Sequence, residues 1–354
     1  MTTAKDVAVS LGLSTSTVGR ALSDDPRISA ATKKRVARAA ESMGYVANRA
    51  AQMMRGASSD IVGVVVPDIS NSFYATIAHA LSEVLARAGY QMMLGETADD
   101  PGAELRQVRG FAAARVAGAI VVPTARPAPE TVRLLRALRH VQLLRSVATL
   151  SPQWFGIDDQ GSLRQATQHL IGLGHRRIAF IGGTSDLPTG AGRWRGYAET
   201  LRGAGLDVEP SLSLLGPPSS VAHGREAVDR LLALPAPPTA LVTGSVQATR
   251  GVLEELLARR TDVPGQLSVV GFGDEMGWSW WGPGLTTLSL PVQQLATTCA
   301  LWLLDRLATD TTVPAGATSP YQSTSRGTLV VRGSTAASGD RVTDPQDSLR
   351  PATH

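Results

Sequence analysis

The residues of this chain with the most evident chemistry are six histidines and one cysteine. The histidines form no His-Glu-x-x-His pair, Cys299 has no partner cysteine, and no Gly-x-Ser-x-Gly segment occurs. The glycines of TGAGRWRG, residues 189–196, lack the Gly-x-Gly-x-x-Gly spacing of a dinucleotide-binding loop. His175, in LGHRRIAF, is expected in a turn or at the surface. We therefore expect a protein that is not an enzyme and that uses no metal and no cofactor.

A tryptophan-rich loop is the next candidate for chemistry. The segment VVGFGDEMGWSWWGPGLTT, residues 269–287, places Trp278, Trp280 and Trp281 within four positions. No acid, base or metal partner accompanies it, so the residues do not indicate a reactive loop; an aromatic wall for a ligand and packing against a neighbouring helix remain open.

Length and composition predict a globular protein with two or three folding units. The chain has 354 residues, of which 43% are hydrophobic and 18% charged, and one ordinary core does not accommodate that length. No apolar run of about 18 residues is present to span a membrane. The N-terminus, MTTAKDVAVS, lacks the apolar core of a secretory signal, and a single cysteine fits a reducing compartment. We expect a cytoplasmic location and no membrane contact.

The basic charge is concentrated at one end of the chain. Residues 1–57 hold nine Lys/Arg and four Asp/Glu, a net charge of +5, whereas the remaining residues sum to −1. This asymmetry is typical of a module that binds a polyanion. Charge alone leaves open a solvated basic helix face.

The segment DVAVSLGLSTSTVGRAL, residues 6–22, favours the nucleic-acid interpretation. It predicts two short helices joined at Gly12, with Ser14 at the N-cap of a second helix over 15–22. The apolar positions are Ala8, Leu11, Leu13, Val18 and Leu22. This is the spacing of a helix-turn-helix, in which the second helix enters the major groove. A third helix is expected after Ser29.

Seven ordered segments of the chain resemble the LacI family of bacterial transcription regulators. They are DVAVSLGLSTSTVGRAL, ESMGYVANRAAQMMRG, IVGVVVPDISNSFY, HLIGLGHRRIAFIGG, TGAGRWRGY, LSVVGFGDE and GLTTLSLPV. The resemblance covers the chain up to about Gly333, and the GFGD spelling resembles the gluconate-repressor branch. It implies a sequence-specific DNA-binding transcription regulator, a repressor in most relatives, that binds a palindromic double-stranded operator.

The resemblance also implies which residues contact DNA. Base-reading positions are occupied by Thr15, Ser16 and Arg20, and phosphate-contacting positions by Thr3, Thr17 and Ser29. Gly19 departs from the serine of most members, which predicts the loss of one phosphate contact and a lower affinity more than a lower specificity.

Residues 48–59 match the hinge helix and linker of the family. Asn48 is expected to cap this helix, Ala51 to allow close approach of two copies, and Met54 to insert as a wedge into the minor groove. The alternative for Met54 is ordinary core packing at a domain boundary.

From Asp60 onward, apolar runs of four to six residues alternate with helices of ten or more, which predicts βαβ units and parallel sheets. Together with the resemblance, this predicts an all-α helix-turn-helix headpiece and an α/β core of the periplasmic-binding-protein type, made of two doubly wound parallel-sheet lobes. The expected ranges are 1–47 for the headpiece, 48–59 for the hinge and linker, 60–158 with 291–320 for the N-terminal lobe, 159–290 with 321–333 for the C-terminal lobe, and 334–354 for a disordered tail.

The cleft between the lobes is the expected site of a small-molecule effector that controls operator affinity. By the resemblance, Phe73 and Tyr74 wall the ligand, Arg193 clamps its oxygen atoms, and Thr189 lies in the same pocket. The resemblance also implies that the loop of residues 269–287 lies beside this cleft. We expect one of its three tryptophans to face the cleft; the alternative is that all three pack against a neighbouring helix.

Three further positions depart from the sugar-binding members of the family. Arg145, Ser245 and Gly273 stand where those members usually place an aspartate, an asparagine and an aspartate, and Asp274 follows. Two carboxylates are thereby lost, and Arg145 joins Arg193. Since two guanidiniums suit bidentate recognition of a carboxylate or phosphate, we expect an anionic effector such as a sugar acid or sugar phosphate.

Two alternatives remain open for the cleft. If Arg145 turns outward or pairs with Asp158 or Asp159, the effector is a neutral sugar or a purine. A solute-binding protein would also explain two lobes, but the basic headpiece argues against it.

Reading two half-sites requires a homodimer. The helix IAHALSEVLARAG is expected at the dimer interface through an apolar face of Ile77, Leu81, Val84 and Leu85. The C-terminal tail lacks a leucine heptad, so no tetramer is predicted.

Overall fold

The computed structural model describes residues 2–22, 25–45, 59–309 and 321–339. The chain divides into two compact units, Met1–Asp60 and Ile61–His354. The predictions for Asn48, Ala51 and Met54 lie outside the described residues.

The first unit is a three-helix domain. Its helices are α1 (Ala4–Leu11), α2 (Thr15–Leu22) and α3 (Ala30–Ser42). They enclose a small core of Val7, Ala8, Val18, Ala21, Val36 and Ala40. The expected turn is present, since Gly12 has a φ of 65° in the left-handed region that favours glycine. Ser14 accepts a hydrogen bond from the Thr17 amide at 3.1 Å, as expected for the cap of α2.

The second unit contains two sheets, which define two lobes. The first sheet consists of β1 (Ile61–Val66), β2 (Gln91–Glu96), β3 (Gly118–Val121), β4 (His140–Leu143), β5 (Trp154–Ile157) and β11 (Gln322–Ser325). All its strand pairs are parallel, in the order β11-β5-β4-β3-β1-β2. Helices α4 (Ser72–Arg87) and α11 (Val292–Thr309) share one hydrophobic cluster with this sheet, whereas α5 (Pro101–Ala114) and α6 (Pro129–Arg136) share another.

The second lobe repeats this plan. Its strands are β6 (Ile178–Gly183), β7 (Ser213–Gly216), β8 (Ala240–Thr243), β9 (Ser268–Phe272), β10 (Thr286–Ser289) and β12 (Thr328–Val330). They follow the order β12-β10-β9-β8-β6-β7, and only the β10-β12 pair is antiparallel. The helices are α7 (Asp159–Gly172), α8 (Pro188–Gly203), α9 (Val221–Leu232) and α10 (Val246–Ala258), with a short 3-10 turn at Pro210–Leu212. The prediction of a doubly wound two-lobed core is confirmed.

Strand β1 shows why an unbroken apolar run predicts a central strand of a parallel sheet. Helices cover both faces of a parallel sheet, so a central strand is apolar without alternation, and Val62 to Val66 are all buried. Within it, a Cβ on Gly63 would lie 2.6 Å from the Phe111 ring of α5, so this glycine permits close helix packing.

The predicted lobe boundaries are wrong near the C-terminal crossover. β11 pairs with β5 in the first sheet, so the chain enters the second lobe only after Ser325, not near residue 321. Residues 334–339, predicted as disordered tail, are part of the second lobe: Ser334 is fully buried, and its hydroxyl donates to the Val269 carbonyl at 2.6 Å. Polar hydrogen bonds rather than apolar packing hold this segment, so hydrophobicity gave no signal.

The apolar face of α4, which was expected at the dimer interface, packs within the hydrophobic core of the first lobe. Ile77, Leu81 and Leu85 are fully buried among the sheet and α11, and Val84 packs against the same cluster. The excess of apolar residues is explained by α11, which returns from the distant part of the chain to cover α4. Ile77, Leu81 and Leu85 are therefore not available to a partner subunit, and Val84 is only partly exposed.

None of the helices that the structure describes is long and apolar enough to cross a lipid bilayer.

Candidate functional site: an exposed polar helix and a cleft between two lobes

The exposed face of α2 carries the predicted base-reading residues. Thr15, Ser16 and Arg20 are exposed, whereas Val18 and Ala21 are buried on the opposite face. Ser16 and Arg20 are four residues apart, so their side chains are neighbours on the helix surface. The three-helix core thus orients α2 with a polar, cationic surface outward.

The predicted phosphate contacts lie at helix starts. Thr3 caps α1, and its hydroxyl donates to Asp6 at 2.7 Å; these Thr3 hydrogen bonds lower the pKa of Asp6. The Thr17 hydroxyl lies 2.8 Å from that of Ser14, and Ser29 caps α3. Backbone amides at helix starts are natural phosphate donors, which fits the predicted role.

The cleft lies between the two lobes of the second unit, where strands of both sheets end. It is lined by Pro67, Asn71, Phe73, Tyr74, Asp99, Leu144, Arg145, Thr189, Arg193, Pro218, Ser219, Ser245, Val246 and Phe272. Six of the eight predicted effector residues belong to this set: Phe73, Tyr74, Arg145, Thr189, Arg193 and Ser245.

The first turn of α4 supplies the aromatic wall. Asn71 caps the helix by accepting from the Phe73 amide at 3.1 Å, which places Phe73 and Tyr74 directly at the carboxyl end of β1. The two rings meet edge to face, with centroids 5.3 Å apart. Phe73 also packs against the hydrophobic clusters of both lobes, so it bridges them.

Arg193 is buried and already paired with a carboxylate. Its Nε donates to Asp159 at 2.6 Å and its Nη1 to the Gly244 carbonyl at 2.9 Å. The guanidinium lies over the Phe272 ring, 4.1 Å from the centroid. The group is therefore held in one place, and its charge is balanced by Asp159.

Arg145 is also paired, and its partner differs from the one considered in the sequence. Its two terminal nitrogens contact the two carboxylate oxygens of Asp99, rather than Asp158 or Asp159, and Nη1 also donates to the Pro123 carbonyl at 3.2 Å. Burial acts to lower the pKa of Arg145, but Tyr74 and Asp99 outweigh it and raise that pKa. The residue as a whole is 3% exposed, and its guanidinium stays charged.

Gly273 and Asp274 are not among the residues that line the cleft. Gly273 has a φ of 89°, and a Cβ there would lie 2.8 Å from Cγ2 of Val246, so this backbone disfavours the aspartate of sugar-binding relatives. Asp274 is engaged by Arg332 at 2.8 Å and by the Thr287 hydroxyl at 2.9 Å. Although partial burial opposes it, these hydrogen bonds lower the pKa of Asp274.

The expectation that one tryptophan of the loop faces the cleft is wrong, because none of the three lines it. Trp278 packs between two hydrophobic clusters of the second lobe, Trp281 packs against one of them, and Trp280 is 75% exposed. The alternative, packing within the protein, therefore holds for Trp278 and Trp281 but not for Trp280.

Sequence reasoning missed Asp99 and Phe272. Asp99 follows strand β2, and Phe272 is the last residue of strand β9. Ligands bind at these carboxyl ends of parallel strands. That position was the available signal for Asp99, but the run TADD resembles an ordinary polar loop. Phe272 was missed because it belongs to the apolar strand β9, whose residues resemble ordinary core residues.

A basic three-helix domain with an exposed recognition helix, followed in one chain by a two-lobed core with an internal cleft, defines the class of DNA-binding transcription regulators. The model of the bacterial regulatory proteins of the lacI family matches residues 3–48, and that of a periplasmic binding protein-like domain matches residues 167–335. The chain thus combines the DNA-binding domain of the lacI family with a periplasmic binding protein-like domain.

Individual proteins are similar to this chain over most of its length. The chain is 29% identical over 306 residues to the HTH-type transcriptional repressor CytR of Escherichia coli K12, covering 86% of this chain and 89% of CytR. A lac repressor dimer bound to operator superposes with a TM-score of 0.80 at 24% identity, covering 95% and 99% of the two chains. A complex of the regulator CelR with cellobiose gives 0.67 at 29% identity, covering 94% and 100%. The relatives are transcription regulators and not enzymes.

Proposed function

We propose that the protein is a homodimeric transcriptional repressor whose operator affinity is controlled by a neutral polar effector, such as a sugar or a purine, bound between the lobes. Thr15, Ser16 and Arg20 would contact bases, and Thr3, Thr17 and Ser29 phosphates. CytR carries the name of a repressor, and the CelR complex contains cellobiose. Both relatives support this assignment.

One observation carries the choice of effector: each buried guanidinium of the cleft is paired with its own carboxylate. Arg145 contacts Asp99, and Arg193 contacts Asp159. The four groups together carry no net charge, so an anion gains little from entering. The anionic effector expected from the sequence depended on two unbalanced arginines, and both arginines are paired.

The paired groups suit a polyhydroxylated ligand. Carboxylate oxygens accept hydrogen bonds from hydroxyls, and guanidinium nitrogens donate to hydroxyl or carbonyl oxygens. Tyr74 and Phe73 add aromatic surface for the apolar face of a ring. Neutral sugars and purines offer both kinds of surface.

A thermal-shift screen tests the effector class. Neutral pentoses, hexoses, disaccharides and nucleosides are compared with gluconate and sugar phosphates at equal concentration. We expect a neutral compound to raise the melting temperature by about 2 °C or more, because binding to the native state alone stabilises it. A response confined to the acids and phosphates would instead support the anionic alternative and overturn the neutral effector.

A gel-shift assay in graded salt tests the DNA-binding part. A duplex obtained by selection from random sequence should be palindromic, and its affinity should fall steeply with salt as phosphate counterions are released. Binding without sequence preference would contradict the assignment.

A further inference from the structure

Asp99 lies at the cleft on an unusual stretch of backbone. Ala98 and Asp99 have φ values of 50° and 59°, and Leu144, which precedes Arg145, has a φ of 63°. Non-glycine residues rarely adopt this left-handed conformation, and where they do, the surrounding structure holds them in it. Three such residues at the ends of β2 and β4 orient the two members of one ion pair.

Backbone hydrogen bonds fix both segments. The Ala98 amide donates to the Pro67 carbonyl at 2.7 Å, and the Leu144 amide to the Phe155 carbonyl at 2.7 Å. The Arg145 amide then closes a tight turn onto the Leu143 carbonyl at 2.7 Å. Asp99 and Arg145 are thus positioned by the sheet itself, rather than by flexible loop ends.

The pair has an inner and an outer member. The side chain of Arg145 is 4% exposed, whereas that of Asp99 is 24% exposed. Both residues line the cleft. A ligand in the cleft therefore meets the Asp99 carboxylate, with the guanidinium behind it.

Two further charged side chains, Glu104 and Arg193, affect the charge near this pair. Glu104 is fully buried and accepts from the Thr124 amide at 2.9 Å and its hydroxyl at 2.7 Å. Burial raises the pKa of Glu104, although these hydrogen bonds oppose it. Arg193 is balanced by Asp159. Asp99 is consequently the partly exposed carboxylate that balances Arg145.

We propose that Asp99 is a specificity-determining residue of the cleft: it accepts hydrogen bonds from hydroxyl groups of a neutral effector and, by balancing Arg145, excludes anions. The proposal rests on the proposed function in one respect, namely that the cleft is the effector site. It predicts that a single substitution converts this cleft into an anion site, because Arg145 would then face the ligand with an unbalanced charge.

The test variant is Asp99→Asn, which preserves size and removes one negative charge. Its matched control is Asp100→Asn, the same change at the adjacent residue, where asparagine also serves as a helix cap. Gluconate and inorganic phosphate are the anionic probes, and the neutral compound from the thermal-shift screen is the third. Affinities are measured by calorimetry on the full chain.

We expect Asp99→Asn to bind gluconate or phosphate at least about tenfold more tightly than the unsubstituted protein and the neutral compound at least about tenfold more weakly. Asp100→Asn should change neither, and Asp99→Asn/Arg145→Gln should lose the gained anion affinity. If Asp99→Asn fails to fold, judged by circular dichroism, Asp99→Ser removes the same charge and carries the same test.

Equal anion affinity in Asp99→Asn and the unsubstituted protein, or undiminished affinity for the neutral compound, would overturn the role of Asp99. Tight anion binding by the unsubstituted protein would overturn it together with the neutral effector. Failure of operator binding would overturn the proposed regulator alone, because the anion comparison does not depend on DNA.

Discussion

Arg145 illustrates what the sequence can and cannot predict about this cleft. Its location at the cleft follows from the resemblance, and six of eight predicted effector residues line the cleft. Its partner, Asp99, is 46 residues away in sequence and meets it only because both follow parallel strands of one sheet. Pairing of charges is a tertiary property, so the net charge of the cleft could not be counted from the sequence.

Arg193→Ala should disrupt the effector site while preserving DNA binding. Removing one member of a buried pair leaves Asp159 with an unbalanced charge, so the free energy of unfolding should fall by about 3–5 kcal/mol. Urea titration measures this loss, and Arg193→Ala/Asp159→Ala should recover part of it. A variant as stable as the unsubstituted protein would contradict the pairing.

Arg20→Ala should have the opposite effect. Arg20 is exposed on α2, so stability should not change, whereas loss of a base contact should weaken operator binding by about 1–3 kcal/mol. Fluorescence anisotropy with labelled operator measures this change, and effector binding should be retained. Arg87→Ala, which replaces an exposed arginine of the second unit, serves as the matched control.

At the scale of elements, the sequence predicted helices with capping residues and strands with apolar runs. α2 has the expected bounds, and α3 begins after Ser29 as predicted. β11 was missed because QSTS, an edge strand, carries no apolar residue. The segment 334–339 was missed for the same physical reason, since hydroxyl and carbonyl groups hold it to the second lobe.

This segment gives the core a dependence on pH. His175, expected in a turn or at the surface, is only 3% exposed; its Nε2 donates to the Ala336 carbonyl at 3.1 Å, and the Thr239 hydroxyl lies 2.9 Å from its Nδ1. Burial lowers the pKa of His175 below its ordinary value of 6.5. Below pH 6.5 the unfolded chain therefore binds a proton that the native state resists, and stability falls as the pH drops.

We expect the free energy of unfolding to be lower at pH 5.5 than at pH 7.5, and His175→Asn to reduce this difference. Urea titrations at both pH values measure it. An equal pH dependence in His175→Asn and the unsubstituted protein would show that His175 does not contribute.

At the scale of the whole molecule, the basic charge and the cleft lie in different units. The basic excess lies within the first 57 residues, whereas the larger unit is near neutral and contains the cleft. The homodimer remains a prediction, and it needs a surface other than the buried face of α4. The family resemblance predicted the two-unit plan because its motifs extend along the chain up to about Gly333.

The central claim is that occupation of the cleft changes operator affinity. Its most direct test is an anisotropy titration of labelled operator with and without the neutral effector, in the unsubstituted protein and in Arg193→Ala. We predict that the effector shifts the operator Kd of the unsubstituted protein by about 5- to 150-fold and leaves that of Arg193→Ala unchanged. An effector that binds the cleft and leaves the operator Kd of the unsubstituted protein unaltered would contradict the account.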